Sequence, residues 1–157
     1  MNKHIKIALF FLGFIVIAGC GEGGPKTYNV SGTVFYKDQP VDGAMVVFSP
    51  SDGGLNAVGT TDAAGKFVLR AAQGSKSWQG TVPGNYEIGI TKRINTAPVP
   101  AKEEMEAARA AGEDLARKYP VVYKDLIPVK YNNPSESGLT ATVEAGKENT
   151  FEFNLTD

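Results

Sequence analysis

Val30-Ser31-Gly32-Thr33-Val34-Phe35-Tyr36 changes character at every step. Val30, Gly32, Val34 and Tyr36 fall on one side of an extended chain and Ser31, Thr33 and Phe35 on the other, the two-residue period of a strand with one buried face. Asp38-Gln39-Pro40 breaks the run. Downstream, Ala44, Val46 and Phe48 alternate, while Met45 and Val47 make that segment apolar on both faces, as a central or doubly covered strand requires. Asn56 to Thr61 and Phe67 to Leu69 read as short strands joined by Thr61-Asp62-Ala63-Ala64-Gly65-Lys66, with an Asp opening the turn and a glycine where positive φ is wanted. Tyr86, Ile88 and Ile90 keep a clean period of two after Pro83-Gly84, and so do Leu139, Ala141 and Val143, then Phe151, Phe153 and Leu155. The last two runs face each other across Ala145-Gly146-Lys147-Glu148, a hairpin-sized loop. Seven short strands at this spacing predict an all-β sandwich. Gly32 inside a strand marks a bulge or a close backbone approach.

One region departs from that pattern. Ala101 to Lys118 is rich in Ala, Glu, Lys and Arg, with Glu103, Glu104 and Glu106 early and Arg117 and Lys118 late, which suits a helix macrodipole. Glu113 with Arg117 and Asp114 with Lys118 are spaced as i,i+4 pairs, and Pro120 ends the run. Met105, Ala108, Leu115 and Tyr119 give only a thin apolar stripe, with Gly112 in its middle. A helical insertion at about 98–120, resting lightly on the sandwich, is the expectation.

The N-terminus reads as an address. Lys3, His4 and Lys6 precede the unbroken apolar run Ile7 to Ala18, which as a helix spans only about 18 Å of a roughly 30 Å hydrocarbon core. Residues 1–19 therefore read as an export signal. Ile17-Ala18-Gly19-Cys20 resembles the bacterial lipobox. That resemblance implies cleavage between Gly19 and Cys20, a diacylglyceryl group on the Cys20 sulfur, and acylation of the new amine. An uncleaved short anchor holding a buried cysteine is the alternative. Two or three acyl chains hold a protein at a membrane far more firmly than one. Gly21, where Asp commonly retains lipoproteins in the inner membrane, favours the outer membrane by the same resemblance. The expected location is thus the cell membrane or outer membrane, facing the periplasm or exterior. Residues 20–27, containing Gly21 to Lys26 (GEGGPK), form the tether, and residues 28–157 the folded domain.

Removing residues 1–19 leaves 138 residues with 14 basic and 17 acidic side chains, enough for one domain with a core and no basis for a nucleic-acid partner. The only histidine, His4, leaves with the signal, and the only cysteine is Cys20. Ser-His-Asp and Cys-His catalysis and the His and Cys ligand sets of zinc, iron and copper are thereby excluded from the mature chain. No catalytic residue and no metal site is expected, and no cofactor beyond the covalent lipid.

Val30-Ser31-Gly32-Thr33-Val34, Pro40-Val41-Asp42-Gly43-Ala44, Phe48-Ser49-Pro50, Thr61 to Phe67 and Pro83-Gly84-Asn85-Tyr86-Glu87-Ile88 together resemble the carboxypeptidase-regulatory-like group of transthyretin-like (prealbumin-like, Ig-like) β-sandwiches. Ile127-Pro128-Val129-Lys130-Tyr131 and the segments that follow it are similar to small planctomycete-type bacterial lipoproteins carrying this domain. The resemblance implies a seven-stranded Greek-key sandwich and says little of function. Hydroxyisourate hydrolases share the fold family, but their activity depends on histidines absent here. Some adhesin relatives form Lys-Asn isopeptide bonds. Here strand alternation turns Lys37 and Asn154 outward, against such a bond.

Candidate sites are few. Asp52 and Asp62 lie near glycines, yet their loops lack the alternating acids and closing Glu of a dedicated calcium site, so a structural turn is the favoured reading. Trp78 stands alone in the polar stretch Gln73 to Gly80 and could, with Gln79 and Tyr86, stack on a sugar or else fold back to plug one end of the sandwich. Met105, Leu115 and Tyr119 could dock on a partner, against the commoner case of a solvated helix. The expected role is a non-enzymatic interaction or scaffold module, tethered to the membrane and contacting an envelope protein or a glycan. A carbohydrate-binding module using Trp78, and a hydrolase working with carboxylates alone (Asp52, Asp62, Glu87, Asp125), are the alternatives.

Overall fold

The computed structural model describes residues 24–157. Its strands are Val30–Tyr36 (β1), Gln39–Pro40 (β2), Met45–Pro50 (β3), Ala57–Thr60 (β4), Lys66–Val68 (β5), Arg70–Gln73 (β6), Lys76–Gln79 (β7), Gly84–Thr91 (β8), Arg93–Asn95 (β9), Tyr123–Asp125 (β10), Thr140–Val143 (β11) and Asn149–Leu155 (β12). Helices Lys102–Ala110 (α1) and Leu115–Lys118 (α2) lie between β9 and β10.

Two sheets face each other. In one, β12 runs parallel to β1, and on the other side of β1 its residues 31–33 pair with β5 and 35–36 with β2. The other has the order β11-β8-β3-β4-β6-β7, with all its neighbours antiparallel. As the alternation predicts, Val30, Gly32 and Val34 turn inward on β1, and β3 is central with Val46 and Phe48 fully buried. Phe48 reaches across the gap to the opposite sheet. Its ring centre lies 6.2 Å from that of Phe67, 5.7 Å from Phe151 and 6.1 Å from Phe153, and on its own side 5.7 Å from Tyr86. Tilted aromatic pairs at such distances add to the area they bury and join the two sheets into one core.

Three expectations change. Twelve strands, not seven, occur among the described residues. The extra ones are short or polar, such as the two-residue β2 and the hairpin β6–β7, which reads as a loop because an edge strand need not alternate cleanly. The runs ending at Val143 and starting at Asn149 do not pair with each other. Instead β11 joins β8 and β12 crosses to β1 in the opposite sheet. Asn149 shapes that crossing, accepting from the Glu144 amide at 2.8 Å and donating to the Glu144 and Lys147 carbonyls. A period of two fixes which face is buried, not which strand lies alongside. The single helix is two, broken at Gly112 with φ +68°. There Asp114 accepts from the Ala116 and Arg117 amides as the cap of α2, while Lys118 pairs with Glu113.

Other local readings stand. Asp62 accepts from the amides of Ala64 and Lys66, both at 2.9 Å, and Gly65 has φ +74°. A methyl group on Gly32 would overlap the Phe151 carbonyl and the Phe67 ring, so this glycine permits the close approach of β12 and β5 to β1.

Candidate functional site

The strands define two ends. Tyr28 and Thr81 exchange backbone hydrogen bonds of 2.8 and 3.0 Å just before β1 and β8 begin. From Gly84 to Thr91, β8 covers about 23 Å at the usual rise. It then hands the chain through Lys92 to the ribbon β9–β10. The far end of β1 is at the same place, since Tyr36, Pro40, Lys92 and Leu126 line one hollow. The near end thus carries the chain leading back to Cys20, and the far end carries the arm of residues 93–125. Gly19 and Cys20, the expected cleavage and lipid-attachment residues, lie outside the described residues, as do the signal and the tether up to residue 23.

At the near end the three expected ligand-binding residues separate. Tyr86 is in the core, its hydroxyl donating to the Val82 carbonyl at 2.7 Å and 3.0 Å from Thr81 Oγ1. Burial pushes its pKa above the ordinary tyrosine value. It presents no ring face to a sugar. Trp78 lies on edge strand β7 opposite Ala71, half-buried, with Gly24 against its indole. Gln79 is exposed and borders a shallow groove of about 650 Å³ shared with Tyr28, Asn29, Lys147 and Glu148.

At the far end the arm is pinned at its root. Leu126 N–H donates to the Lys92 carbonyl at 2.9 Å and Thr96 N–H to the Val122 carbonyl at 2.7 Å. Arg93 Nε and Asn132 Nδ2 both donate to Asp125 Oδ1, at 2.9 and 3.0 Å. The Asn132 hydrogen bond, then that of Arg93, holds the Asp125 carboxyl below its ordinary range. Beyond that root Ala108 is buried, but Ile94, Val99, Met105, Val121, Val122 and Tyr123 are open to solvent, as is Leu126 at the root itself. Of the expected docking residues, Met105 is exposed, whereas Leu115 and Tyr119 are half-buried. Sequence reasoning placed the contact stripe on the helix and passed over Val121-Val122-Tyr123. Three consecutive residues of high β propensity directly after Pro120 were the available signal.

The four carboxylates occupy four different elements. Asp62 is committed to its turn, Asp125 to Arg93 and Asn132, Asp52 lies in the turn after β3, and Glu87 sits on β8 opposite Ser49 and Thr140. Among the described residues no group of three or more His, Cys, Asp or Glu is placed to hold a metal ion, and no helix is long and apolar enough to cross a membrane. Lys37 is exposed and paired with Asp157 at 2.7 Å, but it stands in the turn after β1 with φ +52°, so the turn and not strand alternation sets its direction. Asn154, on β12, is exposed and donates to Glu152, pointing outward as strand alternation requires. Comparison with protein-family models, curated proteins and solved structures gives no match.

Proposed function

We propose that the chain is a lipid-anchored, non-enzymatic interaction module of the cell envelope, held at Cys20 and contacting a protein partner through the arm 93–125. One observation carries this reading: of the eleven large hydrophobic side chains exposed among the described residues, six (Ile94, Val99, Met105, Val121, Val122 and Tyr123) lie in the arm, beyond the end of β8 that is farthest from the Tyr28–Thr81 bridge. Exposed apolar residues gathered on one element mark an interaction site more often than scattered ones do. The lipobox-like Ile17-Ala18-Gly19-Cys20 supports the anchor, and the turn signatures around Gly32, Asp62 and Pro83 support membership of the carboxypeptidase-regulatory-like sandwiches. The carbohydrate alternative keeps Gln79 and its groove but is weakened by the burial of Tyr86 and by the chain lying over Trp78. The carboxylate alternative is weakened by the engagement of Asp62 and Asp125 in structural hydrogen bonds.

A crosslinking pull-down from intact cells tests it. The parent chain should capture a discrete partner, a chain with residues 96–122 replaced by a short Gly-Ser turn should lose it, and Cys20→Ala should be released from the membrane. Retention of the same partner without the arm would refute the reading.

A further inference from the structure

The stretch after the expected lipid site reads in sequence as a free tether, but its second half is stitched to the sandwich. Tyr28 and Thr81 bond to each other in both directions, and Gly80, at φ +76°, leaves room for the Tyr28 carbonyl that any side chain would fill. Gly80 is itself held by its N–H, which donates to the Leu69 carbonyl, and by its carbonyl, which accepts from the Ala71 N–H. Thr81 is fully buried and lies 3.0 Å from the buried Tyr86 hydroxyl, so the docking point for Tyr28 is rigid. Four residues earlier, Gly24 lies so close to the Trp78 indole that a methyl group on it would overlap Nε1 and Cε2. The Lys26 ammonium sits 5.6 Å from the Tyr28 ring centre, between the two attachment points.

We propose that residues 24–28 are a docked strap whose seat is the Trp78 edge of β7, so that only four residues of chain, 20–23, separate the strap from the expected lipid site. The consequence is geometric. Ten residues from Cys20 to Val30 could extend about 35 Å, whereas the four from Cys20 to Gly24 reach at most about 14 Å. A strapped sandwich therefore stands with its near end against the anchor point and its arm directed away from it. That orientation rests on the anchor at Cys20; the strap does not. The strap also gives the lone tryptophan of the polar hairpin a role that calls for no sugar.

Trp78 is the only tryptophan in the chain, so its fluorescence reports the seat directly. In the purified mature protein, Gly24→Val should shift the emission to the red and raise acrylamide quenching. It should also speed tryptic cleavage after Lys26 by about tenfold or more, because a locally opened segment is cut in proportion to its open population. Trp78→Ala should speed the same cleavage. In the unmodified chain the amides of Tyr28 and Thr81 should be protected from hydrogen exchange. Emission and cleavage unchanged in Gly24→Val, or exchange of the Tyr28 amide at the unprotected rate in the parent, would overturn the strap. Loss of membrane attachment with these readouts intact would refute the anchor and leave the strap standing.

Discussion

Phe48 and Tyr123 are both aromatic residues in short β-strands, yet Phe48 is wholly buried among four other rings while Tyr123 is 62% exposed. The sandwich closes its apolar faces because two sheets cover each other. Among the described residues the ribbon β9–β10 is a two-stranded sheet with no third strand. Such a ribbon is marginal by itself, and here it is held by hydrogen bonds at its root, not by a core of its own. The difference teaches where change is tolerated. In the sandwich, substitutions should be read as stability; in the arm, as recognition.

The sharpest way to break that contrast is to truncate one ring in each region. Phe48→Ala should lower unfolding free energy by about 3–5 kcal/mol in a urea titration, while Tyr123→Ala should stay within about 0.5 kcal/mol of the parent. Comparable losses would mean the arm has a core. Next in size, Gly32→Ala should cost about 1–3 kcal/mol, because the added methyl meets the Phe151 carbonyl and the Phe67 ring. Near-parent stability would show that β12 and β5 can draw back from β1. Asp62→Ala should cost about 1 kcal/mol through loss of two backbone acceptances in an exposed turn.

The smallest effect belongs to the root of the arm. Asp125 has its folded pKa held below the ordinary aspartate value by the Asn132 and Arg93 hydrogen bonds, so its contribution is fully present above that ordinary value and is lost as pH falls through the folded one. Asp157, lowered by Lys37 and Tyr36, acts in the same direction. Acid unfolding followed below pH 4 should therefore be less steep in Asp125→Asn than in the parent. An identical pH profile would remove Asp125 as the pin.

The contrast also explains what could be read from the chain. β1, β3 and β8 were legible because one or both faces are buried, and burial writes itself as alternation or as an apolar run. The turn at Asp62 was legible because its hydrogen bonds are local. The crossing from β11 to β12 was not, since partner choice depends on contacts distant in sequence. Lys76-Ser77-Trp78-Gln79 hid a strand because, among the described residues, β7 is an edge that pairs only with β6. The alternation of Tyr86 with Ile88 and Ile90 places it inward and so argues against its sharing a sugar site with Trp78; what sequence could not show was that Val82 and Thr81 would satisfy its hydroxyl. The helix was legible in composition, but Gly112 divided it and the exposed apolar residues lay mainly in the ribbon beside it.

A photoreactive residue placed at position 123, and separately at position 68 on the exposed outer side of β5, tests the central claim in intact cells. The account predicts a discrete crosslinked partner from position 123 and none from position 68. Equal crosslinking from both positions, or a partner captured from position 68 alone, would contradict it.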